Sequence, residues 1–289
     1  MSVDVVLDGL FSGAVYALVA LGLTIVFQPT RIMNFAHGEA LVLGAAAGYQ
    51  VVALWKLGWV LALLVTVGAA VVMALVMERL IVLPVRLSGS RHAWIIATLA
   101  VALVFQALFT LRYLDVPALR PTPMISGTVG FLGDHIAWQE LVTIVAALVV
   151  MAVYDVFLRR TPFGQGLRAA SHNPDAATLL GIPVQRVVLA SFVIGTTITA
   201  LAGLLASSVI FIAPASGLLF TIKGFTAAVI GGVGSPRGAL IGGFLVGLLD
   251  TLVRTQISGA AGNFTVFTIL AVILVVFPSG LFGKPMEAH

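Results

Sequence analysis

The sequence predicts an all-α polytopic membrane protein, a bundle of about eight to ten membrane helices with two discontinuous glycine-rich segments. Composition is the first reason: 60% of the 289 residues are hydrophobic and 9% charged, against roughly 45–50% and about 25% in soluble domains. Charges this scarce cannot cover a water-facing surface. A disordered chain, a collagen, a DNA-binding module and a water-soluble enzyme are thereby excluded. The second reason is run length, since the apolar stretches approach the roughly 20 residues a helix needs to cross hydrocarbon. They are too continuous for the alternating strands of a barrel. The third is that glycine and proline interrupt the apolar pattern, as in membrane proteins whose helices break inside the bilayer.

Reading from the N-terminus, candidate spans fall at 8–28, 38–55, 59–77, 93–112, 139–158, 187–208, 218–233, 238–253 and 263–282. Asp4 and Asp8 open the chain, and Arg31 is its first basic residue. A signal peptide needs a positive start, so the first run stays as a membrane helix. Runs 218–233 and 238–253 are short and glycine-rich, which leaves their full crossing open. The net charge of +4 sits in breaks between apolar runs, which points to membrane orientation and away from nucleic acid. Arg79, Arg86 and Arg91 form one cluster, and Arg159, Arg160, Arg168 and Arg186 another; both should face the cytoplasm. Residues 113–138, with Pro117, Pro121, Pro123, Gly127, Gly130 and Gly133 beside Asp115 and Asp134, then form an external loop. Counting back puts the N-terminus outside, and Lys284 favours the inside for the C-terminal end.

Segment 159–186 is dense in helix signals. Thr161 is a candidate N-cap with Pro162 at the first helical position. Asn173, Pro174 and Asp175 repeat that start, Asp175 suiting a helix N-terminus. Gly181 ends the second helix in a left-handed cap, and Pro183 blocks extension. Two short helices are expected, the second with Ala176, Leu179 and Leu180 as a small apolar face. A plain solvated connection has no need of so many start and stop signals; a lever for a partner protein does.

Two further breaks carry glycine: Asn34-Phe35-Ala36-His37-Gly38-Glu39, preceded by Pro29, and Gly231-Gly232-Val233-Gly234-Ser235-Pro236-Arg237-Gly238. Paired interruptions of this kind point to a transporter's substrate path. Phe11-Ser12-Gly13 and Phe192-Val193-Ile194-Gly195 are faint traces of an internal repeat. Asn34, His37 and Glu39 are either polar residues of a surface loop or, at membrane depth, braces of a broken helix that border a path. Gly44/Gly48 and Gly243/Gly247 sit at the spacing of close helix contacts, internal or with a second membrane subunit. Asp155/Arg159 and Asp250/Arg254 are spaced for i,i+4 pairing and read as helix-end anchors.

The run from Thr161 to Ile182 resembles the ATPase-coupling loop of permeases of ABC importers for branched-chain amino acids. Ile32 to Gly44, with its Asn-Phe-Ala-His-Gly-Glu core, is similar to that family's signature, and Gly224 to Gly243 resembles its third landmark. The three occur in the family's order over almost the whole chain, and the likeness is to the LivH-type subunit rather than the longer LivM-type. The resemblance implies a single permease domain, 1–289, in the bacterial inner membrane, moving leucine, isoleucine or valine without chemistry of its own. Its partners would be a LivM-type second permease, two ABC ATPase subunits carrying ATP and Mg, an external substrate-binding protein and the lipid bilayer. Arg159, Arg160, Gly164, Arg168, Asn173, Asp175, Leu179 and Gly181 would couple to the ATPases. Asn34, Phe35, His37, Gly38 and Glu39, with Gly231, Gly232, Gly234 and Ser235, would border the path or support its broken helices. Urea, amides or other amino acids are alternative cargoes.

Absences narrow the field. No Walker A motif occurs, since Gly283-Lys284 leads into Pro285, so any ATP is bound elsewhere. Without cysteine, and with five scattered histidines, neither a disulfide nor a zinc site is expected. Rival readings are a passive channel and a membrane-embedded hydrolase using Ser235 and His37. The first would have no use for the arginine-rich loop, and the second lacks a nucleophile elbow.

Overall fold

The structure, a computed structural model, describes residues 3–88, 93–131 and 134–276. The helices in order are α1 (Val3–Thr30), α2 (Glu39–Gly48), α3 (Trp59–Ser88), α4 (Ala93–Arg112), α5 (Trp138–Arg160), α6 (Pro162–His172), α7 (Pro174–Leu179), α8 (Val184–Ala206), α9 (Gly217–Ile230), α10 (Pro236–Gln256) and α11 (Gly259–Val276). A π-helical turn, Tyr49–Leu54, prolongs α2. Six helices, α1, α3, α4, α5, α8 and α10, are long and apolar enough to cross a membrane, and α2 with its π turn, α9 and α11 are shorter apolar helices. These nine agree with the expected bundle. The run expected at 238–253 is a helix of 21 residues, Pro236–Gln256, long and apolar enough to cross fully. Arg91, Gly133 and Lys284 lie outside the described residues.

The region 113–138 holds more order than a loop. Strands β1 (Thr128–Phe131) and β2 (Asp134–Ala137) pair antiparallel, Thr128 opposite Ala137 and Val129 opposite Ile136. This hairpin marks one face of the bundle, and α6 with α7 marks the other.

Helix α1 is the axis. Its best apolar window is 89% buried, against 17% for α4. A helix apolar all round belongs inside a bundle, and α1 packs on α5, α8, α9 and α10. Its contact with α10 is antiparallel and close: a β-carbon at Gly247 would strike the backbone of Gly13, and one at Gly243 would strike Ala17. Gly44, likewise, presses on the backbone of Ala200 in α8. The spaced glycines thus serve contacts inside the chain.

Two stretches of the chain mirror one another. α1 runs from the hairpin face to the α6–α7 face, where Arg31 Nη2 donates to Ser171 O at 2.6 Å. Residues 31–38 then climb back, and α2 continues outward until Gln50 Oε1 accepts from Arg112 Nη2 at 3.0 Å. α8 runs the opposite way, ending at the hairpin face. Residues 207–216 descend from there, Leu119 N donating to Ile212 O at 2.9 Å and Gln106 Nε2 to Ala215 O at 3.2 Å. α9 completes the way to the α6–α7 face. Each half therefore contains a long helix, an irregular segment and a half-helix, in inverted order through the membrane.

Candidate functional site at the meeting of two half-helices

The irregular segments bring the N-termini of α2 and α9 together inside the bundle. Asn34 builds the first turn: its Oδ1 accepts from Ala36 N at 3.0 Å, and its backbone O accepts from His37 N at 3.1 Å. Asn-centred turns of this kind replace helix hydrogen bonds locally. His37 Nε2 lies 2.7 Å from Thr199 Oγ1 of α8. Gly38 N donates to Thr221 Oγ1 at 2.7 Å, and that hydroxyl sits 3.0 Å from Phe35 O. Phe35 stacks on Trp94 and meets Phe225 edge-on. Asn34, His37 and Glu39 are all buried inside the bundle, at 1%, 0% and 0% exposure, and none is an exposed loop residue.

Contact at the junction leaves no room for larger residues. A β-carbon at Gly38 would collide with Gly217 O, and one at Gly217 with the Glu39 carboxyl group. Glu39 is the first residue of α2 and lies against the first residue of α9. Two positive helix ends therefore face one carboxylate, which offsets part of the cost of burying it. Neither Glu39 oxygen nor His37 Nδ1 has a hydrogen-bond partner among the described residues.

At the opposite end of the climbing segment, α6 and α7 are capped as the sequence led us to expect. Thr161 Oγ1 accepts from Gly164 N at 3.0 Å and Asn173 Oδ1 from Ala176 N at 2.9 Å, each with proline at the first helical position. Gly181, at φ 79°, closes α7: Gly181 N donates to Thr178 O and Ile182 N to Ala177 O, both at 3.0 Å. That is a Schellman motif. Leu167, Ala170 and Ala177 fix the pair to α1, α5 and α8. Arg159, Arg160, Arg168, Asn173, Asp175, Leu179 and Gly181 stay exposed. Gly164 is buried instead, close against the backbone of Phe157 and Leu158, so it shapes the corner between α5 and α6.

The second glycine-rich interruption lies at this same face, not at depth. Residues 231–235 turn between α9 and α10, with Gly232 and Gly234 at positive φ. Gln28 Nε2 of α1 donates to Gly234 O at 2.9 Å, and Arg237 pairs with Asp155 of α5 at 3.1 Å. Ser235 Oγ accepts from Gly238 N as the cap of α10. His37 bonds Thr199 and Ser235 caps a helix at the membrane face, so the hydrolase pairing is not assembled. The counterpart of 31–38 is 207–216, which holds no glycine and a single proline, Pro214.

A family model described as branched-chain amino acid transport system / permease component matches residues 5–277. The chain is 32% identical to the high-affinity branched-chain amino acid transport system permease protein LivH of Escherichia coli (strain K12), over 96% of this chain and 94% of that one. It is 29% identical, with the same shares covered, to the permease protein BraD of Pseudomonas aeruginosa. The chain belongs to this family. The permease also shares its fold, at 13% identity and TM-score 0.52 over 94% of this chain and 91% of the other, with a chain of PsaBC from Streptococcus pneumoniae in complex with Fab. It is a multi-pass transport subunit.

One polar group in the permease escaped sequence reasoning. Asp250 is fully buried and does not anchor a helix end. Its Oδ2 accepts from Tyr16 Oη at 2.6 Å and Lys223 Nζ at 2.9 Å, and it also pairs with Arg254 Nη2. α1, α9 and α10 are thus joined through one carboxylate oxygen. The signal was there: a lysine inside one apolar run and an aspartate inside another need each other. Thr199 and Thr221, which hold the broken helix, gave no such signal. Asp155 and Arg159 do pair along α5, at 3.1 Å.

Proposed function

We propose that the permease is the LivH-type subunit of an ATP-driven ABC importer and carries leucine, isoleucine and valine across the bacterial inner membrane. All 289 residues form one translocation domain. The observation that carries this reading is the α6–α7 pair, two capped helices packed rigidly on the long helices yet leaving Leu179 and Leu180 exposed at 89% and 80%. Arg31, Arg159, Arg160, Arg168, Arg186 and Arg237 gather at that face, which supports a cytoplasmic orientation for it. The hairpin face is then external.

Two ABC ATPase subunits, with their ATP and Mg, dock on α6 and α7. Arg159, Arg160, Arg168, Asp175 and Leu179 supply the contact, while Gly164, Asn173 and Gly181 give the pair its shape. Docking that differs between ATP-bound and ATP-free partners shifts the bundle between outward-open and inward-open states, since only a differential interaction moves such an equilibrium. The turn Gly231, Gly232, Gly234 and Ser235, tied to α1 and α5, passes the movement to α9 and α10. A LivM-type permease completes the path, and an external binding protein delivers substrate at the hairpin face. Asn34, Phe35, His37 and Gly38 brace the path where the two half-helices meet. Glu39 and the helix N-termini there suit the ammonium and carboxylate of an amino acid. The chain itself does no chemistry.

In a reconstituted complex, Arg168→Glu lowers substrate-stimulated ATP hydrolysis several-fold, with permease abundance unchanged because the side chain is exposed. Leu179→Asp does the same by a separate route. Full stimulation of both variants in an assembled complex refutes the docking role. Gly164→Pro is the wrong probe, since it removes a capping donor inside a packed corner.

A further inference from the structure

A cavity of about 420 Å³ opens on the hairpin face, away from the junction of the half-helices. Three elements wall it: the connection 120–128, the first turn of α5, and Ser208–Val209 at the top of the descending segment. Its frame is fixed by Gln139, which is 1% exposed. Gln139 Oε1 accepts from Met124 N at 3.1 Å, and Nε2 donates to Leu205 O at 2.9 Å. One side chain thereby ties α5 to the connection and to the end of α8.

One basic and one acidic side chain line this cavity. Arg120 donates through Nε to Ser208 O at 3.1 Å, which orients the guanidinium and leaves its Nη atoms for a carboxylate. Glu140 stands on the first turn of α5 and lines the same cavity. Ile125, Val209 and Pro123 add aliphatic surface to its lining. Small-molecule sites are concave, mostly apolar and carry a few convergent polar groups. Anchoring α8 and complementing the helix dipole would explain Arg120 and Glu140 singly, but neither role needs both to line one cavity.

We propose that this cavity is an outer staging site for a free zwitterionic amino acid with an aliphatic side chain. The carboxylate meets Arg120, the ammonium meets Glu140, and the side chain lies on Ile125 and Val209. The inference rests on the transport reading for its ligand and goes beyond it in place. Ser208 and Val209 lie near the start of the segment 207–216 that leads to Gly217, which Glu39 touches, so a bound amino acid would sit at the outer end of that segment.

The test uses the assembled transporter in nanodiscs, without its binding protein, and radiolabelled L-leucine at equilibrium. Wild type binds saturably, and Arg120→Ala and Glu140→Gln each weaken binding about tenfold or more, as loss of a charge-assisted hydrogen bond implies. Val209→Trp, which fills the cavity and keeps both charges, abolishes it, and 4-methylpentanoate, lacking the ammonium, fails to compete. Saturable binding unchanged in all three variants overturns the site. So does its absence in a complex that takes up leucine once binding protein and ATP are added. A complex that folds and assembles but takes up no leucine under those conditions overturns the transport reading instead, and with it the ligand named here.

Discussion

Among the ionisable side chains buried within the bundle, those around Asp250 and those around Glu39 are satisfied in opposite ways. Around Asp250, three donors from α1, α9 and α10 converge on one oxygen. Around Glu39, the carboxylate rests against Gly217 with no hydrogen-bond partner among the described residues. A charge inside a membrane is costly unless paired. The first group meets that cost by pairing and locks three helices together. The second meets it through the ends of two helix dipoles, a weaker support that a passing ligand can join. One group holds the bundle, and the other sits where the two half-helices meet.

The largest effect expected from this contrast is on stability at Asp250. Asp250→Ala leaves Lys223, 3% exposed, buried without its counter-charge, and breaking a buried pair costs about 3–5 kcal/mol. Thermal unfolding of the purified permease in mild detergent should show a large drop, with little protein reaching the membrane. Combining Asp250→Leu with Lys223→Met recovers most of it, because Arg254, the remaining cation, is 40% exposed at the side chain and not buried as Lys223 is. A double variant as unstable as Asp250→Ala would show that the carboxylate does something other than neutralise Lys223.

A smaller loss is expected when only the hydroxyl in that group is removed. Tyr16 Oη donates to Asp250 and accepts from Lys223 at 3.1 Å and Arg254 at 3.3 Å. Tyr16→Phe keeps the ring packing on Phe220 and should cost about 1–3 kcal/mol in the same melt. An unaltered melt would mean that the two cations are held by Asp250 alone.

What the sequence made legible follows the range of the interactions involved. Spans were readable because apolar runs are local, and α6 and α7 because caps act within four residues: Thr161 to Gly164, Asn173 to Ala176, Gly181 to Thr178. The first broken segment was readable from its polar residues. Its mirror, 207–216, was not, because its backbone is held by Leu119 and Gln106 from a distant part of the chain. The conspicuous glycines at 231–238 drew attention to a turn. Asp250 was assigned to its near neighbour Arg254 although Lys223, on another helix, is the buried partner. Local spacing proposes pairs; burial decides which of them matter.

The smallest effect on stability, and the one that sharpens the contrast most, is expected at Glu39. Glu39→Gln keeps the shape pressed against Gly217 and removes a charge that no donor among the described residues satisfies. The melt should therefore shift by less than about 1 kcal/mol in either direction, since the lost dipole interaction and the avoided desolvation oppose each other. Leucine uptake by the reconstituted importer should nevertheless fall sharply, because the half-helix ends would face the substrate's ammonium with a neutral amide. The two readouts must separate for Glu39 as they cannot for Asp250. If Glu39→Gln melts as badly as Asp250→Ala, the carboxylate is a structural bridge and the two groups are alike. If it melts normally and transports at the wild-type rate, the charge at the junction is dispensable, and the path selects by shape alone.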